Sequence, residues 1–145
     1  MREIEFRAKC KRNNKWAEGF YYEHGGPLEC FGDPKEKKID KYCILRSAFA
    51  DWNMPRQIEY IEVLPETVGQ YINQVDKNLK KIYEDDILQD ARGNKYLVRW
   101  SDGNCGFMAE PIFKRNIWPN LNSGSTKYLE VIGNITDNPE LLRGE

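Results

Sequence analysis

Residues 65–88 read PETVGQYINQVDKNLKKIYEDDIL, a short apolar segment that runs into a polar turn and then into a second apolar start. Thr67 to Ile72 form a short strand, Asp76-Lys77-Asn78-Leu79 is a turn signal, and Ile82 to Leu88 lead into another strand. Upstream, residues 57–64 alternate in the same way, with Ile58, Tyr60 and Glu62 against Ile61 and Val63. At the start of the chain Ile4, Phe6 and Ala8 alternate with Glu3, Glu5, Arg7 and Lys9, a period of two that predicts a half-buried strand. Lys11-Arg12-Asn13-Asn14-Lys15 is a polar reversal and Trp16 to Tyr22 a return strand, so the pair reads as a β-hairpin.

Between these blocks, His24-Gly25-Gly26-Pro27 breaks the chain, residues 32–41 are a charged, turn-like loop, and Tyr42 to Leu45 are a short apolar run. Ala48 to Asn53 are ambiguous between a short helix and irregular structure, closed by Pro55. Downstream, Arg92-Gly93-Asn94 precede a strand from Lys95 to Trp100, and Ser101-Asp102-Gly103-Asn104 turn it into a return strand from Gly106 to Ala109. Residues 119–126 are a flexible loop, and Lys127 to Ile135 form a last strand. Asn138 caps a short terminal helix that has Pro139 at its first position. Short strands with turns at roughly ten-residue intervals predict a small, partly open barrel.

With 145 residues, the chain has room for one ordinary domain or two very small ones. Hydrophobic residues at 40% are enough for a packed interior, and no apolar run approaches the roughly 18 residues of a spanning helix. Met-Arg-Glu-Ile-Glu-Phe-Arg carries no signal-peptide core, so the expected location is the cytoplasm of the host cell, away from membranes. The net charge of −1 argues against a protein built wholly around nucleic acid. Residues 1–46 hold 11 basic against 8 acidic groups, however, and Arg2, Arg7, Lys9, Lys11, Arg12 and Lys15 fall in one short segment. Cys10, Cys30, Cys43 and Cys105 have no metal-ligand spacing, and in a reducing cytoplasm they read as buried or half-buried thiols.

Little in the chain names a reaction. There is no phosphate-binding loop, dinucleotide fingerprint or metalloprotease motif, and no cofactor or metal is expected. His24 is the only histidine. It lies in a glycine-rich turn, and a nucleophilic pairing with Cys30 lacks an orienting third group, so no catalytic residue is assigned. Glu84-Asp85-Asp86 could bind a cation only with partners from elsewhere; the plainer reading is a carboxylate that accepts backbone N–H groups in a turn. The remaining signal joins basic and aromatic groups: Arg7, Lys9, Lys11, Arg12, Lys15 and Trp16 at the first hairpin, and Tyr96, Arg99 and Trp100 on a later strand. Cationic grooves with stacking platforms bind single-stranded nucleic acid. The competing reading makes the tryptophans core or interface anchors and the charges a solvated face.

Three blocks together resemble the YopX-type proteins of bacteriophages and prophages. They are Met1-Arg2-Glu3-Ile4 with Phe6-Arg7-Ala8, then Glu66-Thr67-Val68-Gly69-Gln70-Tyr71 with Asp76-Lys77-Asn78, Ile82-Tyr83-Glu84 and Asp86-Ile87, and last Val131-Ile132-Gly133-Asn134-Ile135 with Asn138-Pro139-Glu140-Leu141-Leu142. The resemblance implies a phage or prophage origin, an SH3-like barrel in the second half, and self-association. It carries structural motif residues, Thr67, Val68, Gly69, Gln70, Tyr83, Asp86, Gly133 and Asn134, but no catalytic ones. The chain departs from the family at Leu79 and Asp85, where relatives usually have glycine. Leu79 predicts either that Asn78 takes the left-handed conformation or that the turn changes type, a rearranged loop at 76–81 in both cases.

The expectation is a mainly β protein. Residues 1–64 form an N-terminal region with a β-hairpin, packed on a C-terminal SH3-like, partly open barrel with a short terminal helix over 65–145. The expected role is a non-catalytic accessory protein that self-associates and binds a host or phage protein; the alternative is a weak nucleic-acid binder that uses the basic hairpin.

Overall fold

The computed structural model describes residues 1–26, 39–48, 57–113 and 119–143 and is β-rich, built from antiparallel strands. Cys30, Pro27, most of the charged loop at 32–41, and the ambiguous stretch through Pro55 lie outside the described residues. The chain divides into two compact units, Glu5–Val68 and a second made of Met1–Ile4 with Gly69–Glu145.

In the Glu5–Val68 unit, β1 (Phe6–Lys9), β2 (Trp16–Gly25), β3 (Ile39–Ser47) and β4 (Ile58–Glu62) are ordered β4-β3-β2-β1. The hairpin closes through Asn14 at φ 55°, a left-handed position that asparagine tolerates. Its register pairs Ala8 with Ala17 and Lys9 with Trp16. Directly paired residues share a face, so Ala8 and Ala17 join Ile44 and Val63 inside, with Phe6, Tyr21, Tyr42, Ile61 and Val68 around them. Beyond β4 the chain returns to β1, where the Leu64 N–H donates to the Lys9 carbonyl (2.9 Å) and the Lys11 N–H to the Glu62 carbonyl (3.0 Å). This return fixes the first hairpin turn beside β4.

In the other unit, β5 (Gly69–Val75) and β6 (Lys81–Tyr83) form a hairpin. β7 (Asp86–Gln89), β8 (Lys95–Ser101), β9 (Gly106–Pro111) and β10 (Glu130–Asn134) form a sheet ordered β10-β7-β8-β9. Ile72 and Ile82 from the hairpin pack with Leu88, Val98, Leu129 and Val131. Among the described residues the sheet does not close, and β9 and β10 stay at its edges, as a partly open barrel requires.

Several local expectations change. Thr67 lies in a 3-10 turn, Pro65–Thr67, because its hydroxyl donates to the Leu64 carbonyl (2.7 Å) and accepts the Lys9 N–H (2.8 Å). His24 and Gly25 extend β2 instead of breaking it, with a register shift at Gly25 that absorbs the irregularity. A 3-10 turn, Thr126–Tyr128, precedes the last strand. The terminal helix is a four-residue 3-10 turn, Pro139–Leu142. Asn138 does not cap it; its side-chain amide lies 3.3 Å from the Glu140 carboxylate.

The expectation for Leu79 is overturned. Leu79 itself takes φ +63°, and Asp85 takes φ +66°. The Asp76 carboxylate imposes the first geometry: it is buried and accepts the N–H groups of Asn78 (2.7 Å), Lys80 (2.9 Å) and Val131 (3.0 Å). The Leu79 side chain is 81% exposed, so the left-handed backbone meets only its own local steric cost. Asp85 is held from several sides, its N–H on the Val98 carbonyl (3.0 Å), its own carbonyl receiving the Ile135 N–H (3.1 Å), and its carboxylate on Arg99 (2.7 Å).

Candidate functional site

The six basic and aromatic residues of the first hairpin do not form one exposed face. Alternation places Arg7 and Lys9 on the side of β1 that carries Trp16, because Lys9 pairs directly with Trp16 and Arg7 with Glu18. Both cations are buried, with the Arg7 guanidinium 4.7 Å and the Lys9 ammonium 5.5 Å from the indole centroid. Long aliphatic stems and an aromatic face make such burial tolerable. Lys11 pairs with Glu62 at 2.7 Å, which raises the lysine pKa and lowers that of the carboxyl, chiefly through their hydrogen bond. Arg12 and Lys15 are exposed.

The turn that carries Arg12 and Lys15 forms one wall of a cleft of about 690 Å³, and β4 forms the opposite wall. Trp16, Tyr60, Arg46 and Glu59 also line it, and Arg46 pairs with Glu59 at 2.8 Å. Tyr60 and Arg46 escape a reading of the sequence because they lie on strands far along the chain. Only the return of β4 to β1 brings them there.

The outer face of the same sheet is apolar and open. Phe20, Leu45 and Tyr60 are cross-strand partners, and Tyr22 with Cys43 and Ser47 with Ile58 continue that face. Phe20 (63%), Tyr22 (43%), Ile58 (63%) and Tyr60 (66%) are exposed. The sequence held one signal for this: Phe20-Tyr21-Tyr22 puts bulky apolar groups on both faces of a strand, and a single inner cluster can cover only one of them. Tyr22, His24, Lys41, Cys43, Leu45 and Tyr60 line a second hollow of about 600 Å³ on this face. Burial pushes the Cys43 thiol pKa up, with Glu62 adding to the effect, so the group stays a thiol and a poor nucleophile. His24 lies across from Lys41, its ring 6.1 Å from Tyr22. Cys105, expected to be buried or half-buried, is exposed in a left-handed position (φ 48°) after the Asp102–Asn104 turn.

The family-motif residues shape the chain and line neither hollow. Thr67 joins β1 to the turn before β5, and Val68 packs on the inner cluster of its unit. A Cβ on Gly69 would lie 2.6 Å from the Glu84 backbone carbonyl, so that site accepts no side chain, whereas one on Gly133 would meet Asn138 Oδ1 at 2.5 Å and force that side chain to move. The Gln70 carbonyl accepts the Glu84 N–H (2.8 Å), and the buried Tyr83 ring lies 5.6 Å from Tyr71. Asn134 Oδ1 accepts the Thr136 and Asp137 N–H groups. Asp86 is buried and accepts the Tyr83 N–H (2.8 Å). Glu84 is half-buried, and desolvation, then the neighbouring Asp85, raises its pKa. Tyr96 and Arg99 are likewise engaged, on Asp90 and Asp85, and the Trp100 N–H donates to Asp102 at 2.9 Å.

Among the described residues no group of three or more His, Cys, Asp or Glu converges as metal ligands, and no helix is long and apolar enough to cross a membrane. No curated protein matches the chain. A solved structure, protein EF1440 from Enterococcus faecalis, is similar over 99% of this chain and 100% of its own, at 23% identity and a TM-score of 0.57, a likeness of fold. The profile described as YopX protein matches residues 5–143, nearly the whole length, including Phe6-Arg7-Ala8 and the second and third sequence blocks. The chain therefore belongs to the YopX family.

Proposed function

We propose that this YopX-family chain is a non-catalytic accessory protein that self-associates through the outer face of β2, β3 and β4. The observation that carries this reading is the exposure together of Phe20, Tyr22, Ile58 and Tyr60. At ~200 Å² for each side chain, their exposed area is on the order of 500 Å², the upper range for the largest apolar patch of a monomer. A standard interface buries about 800 Å² per partner, so this patch is the right size for its apolar centre. The polar groups around it carry both signs, with Glu18, Glu62, Lys41 and His24 on the same face. A mixed rim suits a second copy of the same surface, as two-fold pairing demands. The inert Cys43 thiol beside His24 supports the non-catalytic part of the reading. The proposed phage or prophage origin, the bacterial cytoplasm as setting, and a further host or phage protein as partner rest on the family resemblance.

Sedimentation equilibrium of the wild type and of Phe20→Ser/Ile58→Ser tests the reading. The wild type is expected to associate at micromolar concentrations and the variant to remain a monomer with an unchanged melting temperature. A monomeric wild type, or a variant that associates as before, would overturn it.

A further inference from the structure

The cleft between the first hairpin turn and β4 has a chemistry of its own and borders the apolar face at Tyr60 and Glu62. Lys11 and Arg46 are each balanced by a glutamate, Glu62 and Glu59. Arg12 and Lys15 also line the cleft, and neither has a carboxylate partner among the described residues, which leaves two positive charges uncompensated. Trp16 and Tyr60 add aromatic surface to the same walls. The volume of about 690 Å³ lies within the range of sites that hold a ligand of nucleotide size.

We infer that this cleft binds single-stranded nucleic acid, with a base stacked against Trp16 and Tyr60 and the flanking phosphates on Arg12 and Lys15. The occupant follows from charge and shape together. Two unpaired cations three residues apart on an exposed turn match a polyanion, and flat rings between them and β4 match bases, each stacked base contributing ~1–3 kcal/mol in such sites. Duplex DNA hides its base faces, so it cannot use the rings. The buried Arg7 and Lys9 stay against the indole from the side of β1 and are part of the platform, not free phosphate contacts. Tyr60 and Glu62 are shared with the self-association face, and the test avoids both.

Fluorescence anisotropy with a labelled single-stranded oligonucleotide, at about 50 and about 200 mM salt, reads the prediction directly. Two phosphate contacts predict roughly sevenfold weaker binding across that range. Arg12→Glu/Lys15→Glu is expected to lower affinity at least tenfold and to flatten the salt dependence. Both side chains are exposed, so a matched melting temperature checks that the variant is folded. Lys127→Glu, an exposed charge reversal in the other unit, is expected to leave binding unchanged. No binding at the lower salt, equal binding of a duplex, or an unaltered affinity in the double variant would overturn the assignment.

Discussion

In the Gly69–Glu145 part of the chain Ile82, Leu88 and Val98 have no solvent contact, and even a carboxylate, Asp76, is buried as an organiser of backbone. In Glu5–Val68 the inner cluster includes two alanines, while Phe20, Tyr22, Ile58 and Tyr60 face outward. Both units bury aliphatic groups, but the exposed bulky groups of the first share one sheet face, whereas Leu79, Trp100 and Tyr128 of the second lie on different elements. In that sentence's terms the first unit is Glu5–Val68. A sheet that leaves aromatic surface in water forgoes about 25 cal/mol for each Å² it could have buried. That difference is the ground on which binding is proposed for the N-terminal unit.

The contrast is most strongly tested at Asp76. Asp76→Ala leaves three N–H groups without their acceptor, Val131's among them, and is expected to cost roughly 3 kcal/mol in urea unfolding. Phe20→Ser, by comparison, should stay within about 0.5 kcal/mol of wild type, as surface changes do. Equal losses for the two would mean that the outer face is structural and would break the comparison.

Leu79 offers a smaller and opposite effect. Its left-handed backbone is strained and its side chain is in water, so Leu79→Gly is expected to stabilise the protein by about 0.5–1 kcal/mol, whereas a β-branched valine there should destabilise it. A destabilised glycine variant would mean that the leucine side chain makes a contact worth more than the strain.

The smallest expected effect is a pH dependence at Glu84. Burial, reinforced by Asp85, raises its pKa, so the folded state holds this proton more tightly than the unfolded one. Its favourable contribution is full below the ordinary carboxylate pKa and is lost as the pH rises through the raised value. Glu84→Gln should therefore raise the melting temperature at neutral pH relative to wild type and narrow that gain at pH about 4. A gain of the same size at both values would assign the effect to packing instead of ionisation.

Strand alternation made Ile4 to Lys9 and residues 57–64 legible, and β-branched and aromatic content did the same for Lys95 to Trp100, each within a few residues. Glycine and asparagine marked the turns. The motif blocks at Thr67–Gln70 and Gly133-Asn134 marked the family, and their structural roles follow from close approaches at the glycines and side-chain hydrogen bonds at Thr67 and Asn134, which a sequence records only as residue types. Whether the hairpin's charges share one surface stayed open in the sequence, because period two assigns a face without saying which face a tertiary partner covers. Arg7 and Lys9 went under Trp16.

The amino-acid sequence by itself determined the class of the protein, its strands and its family, since these depend on local pattern and on short-range turn chemistry. The tertiary structure alone decided what is displayed. Which side of β2 meets water, whether Arg12 finds Tyr60, and whether Leu79 or Asn78 takes the left-handed turn all depend on contacts between residues far apart in the chain. Such contacts are set by the register of β4 on β3 and by the bond from the Val131 N–H to the buried Asp76 carboxylate, neither of which has a local signature.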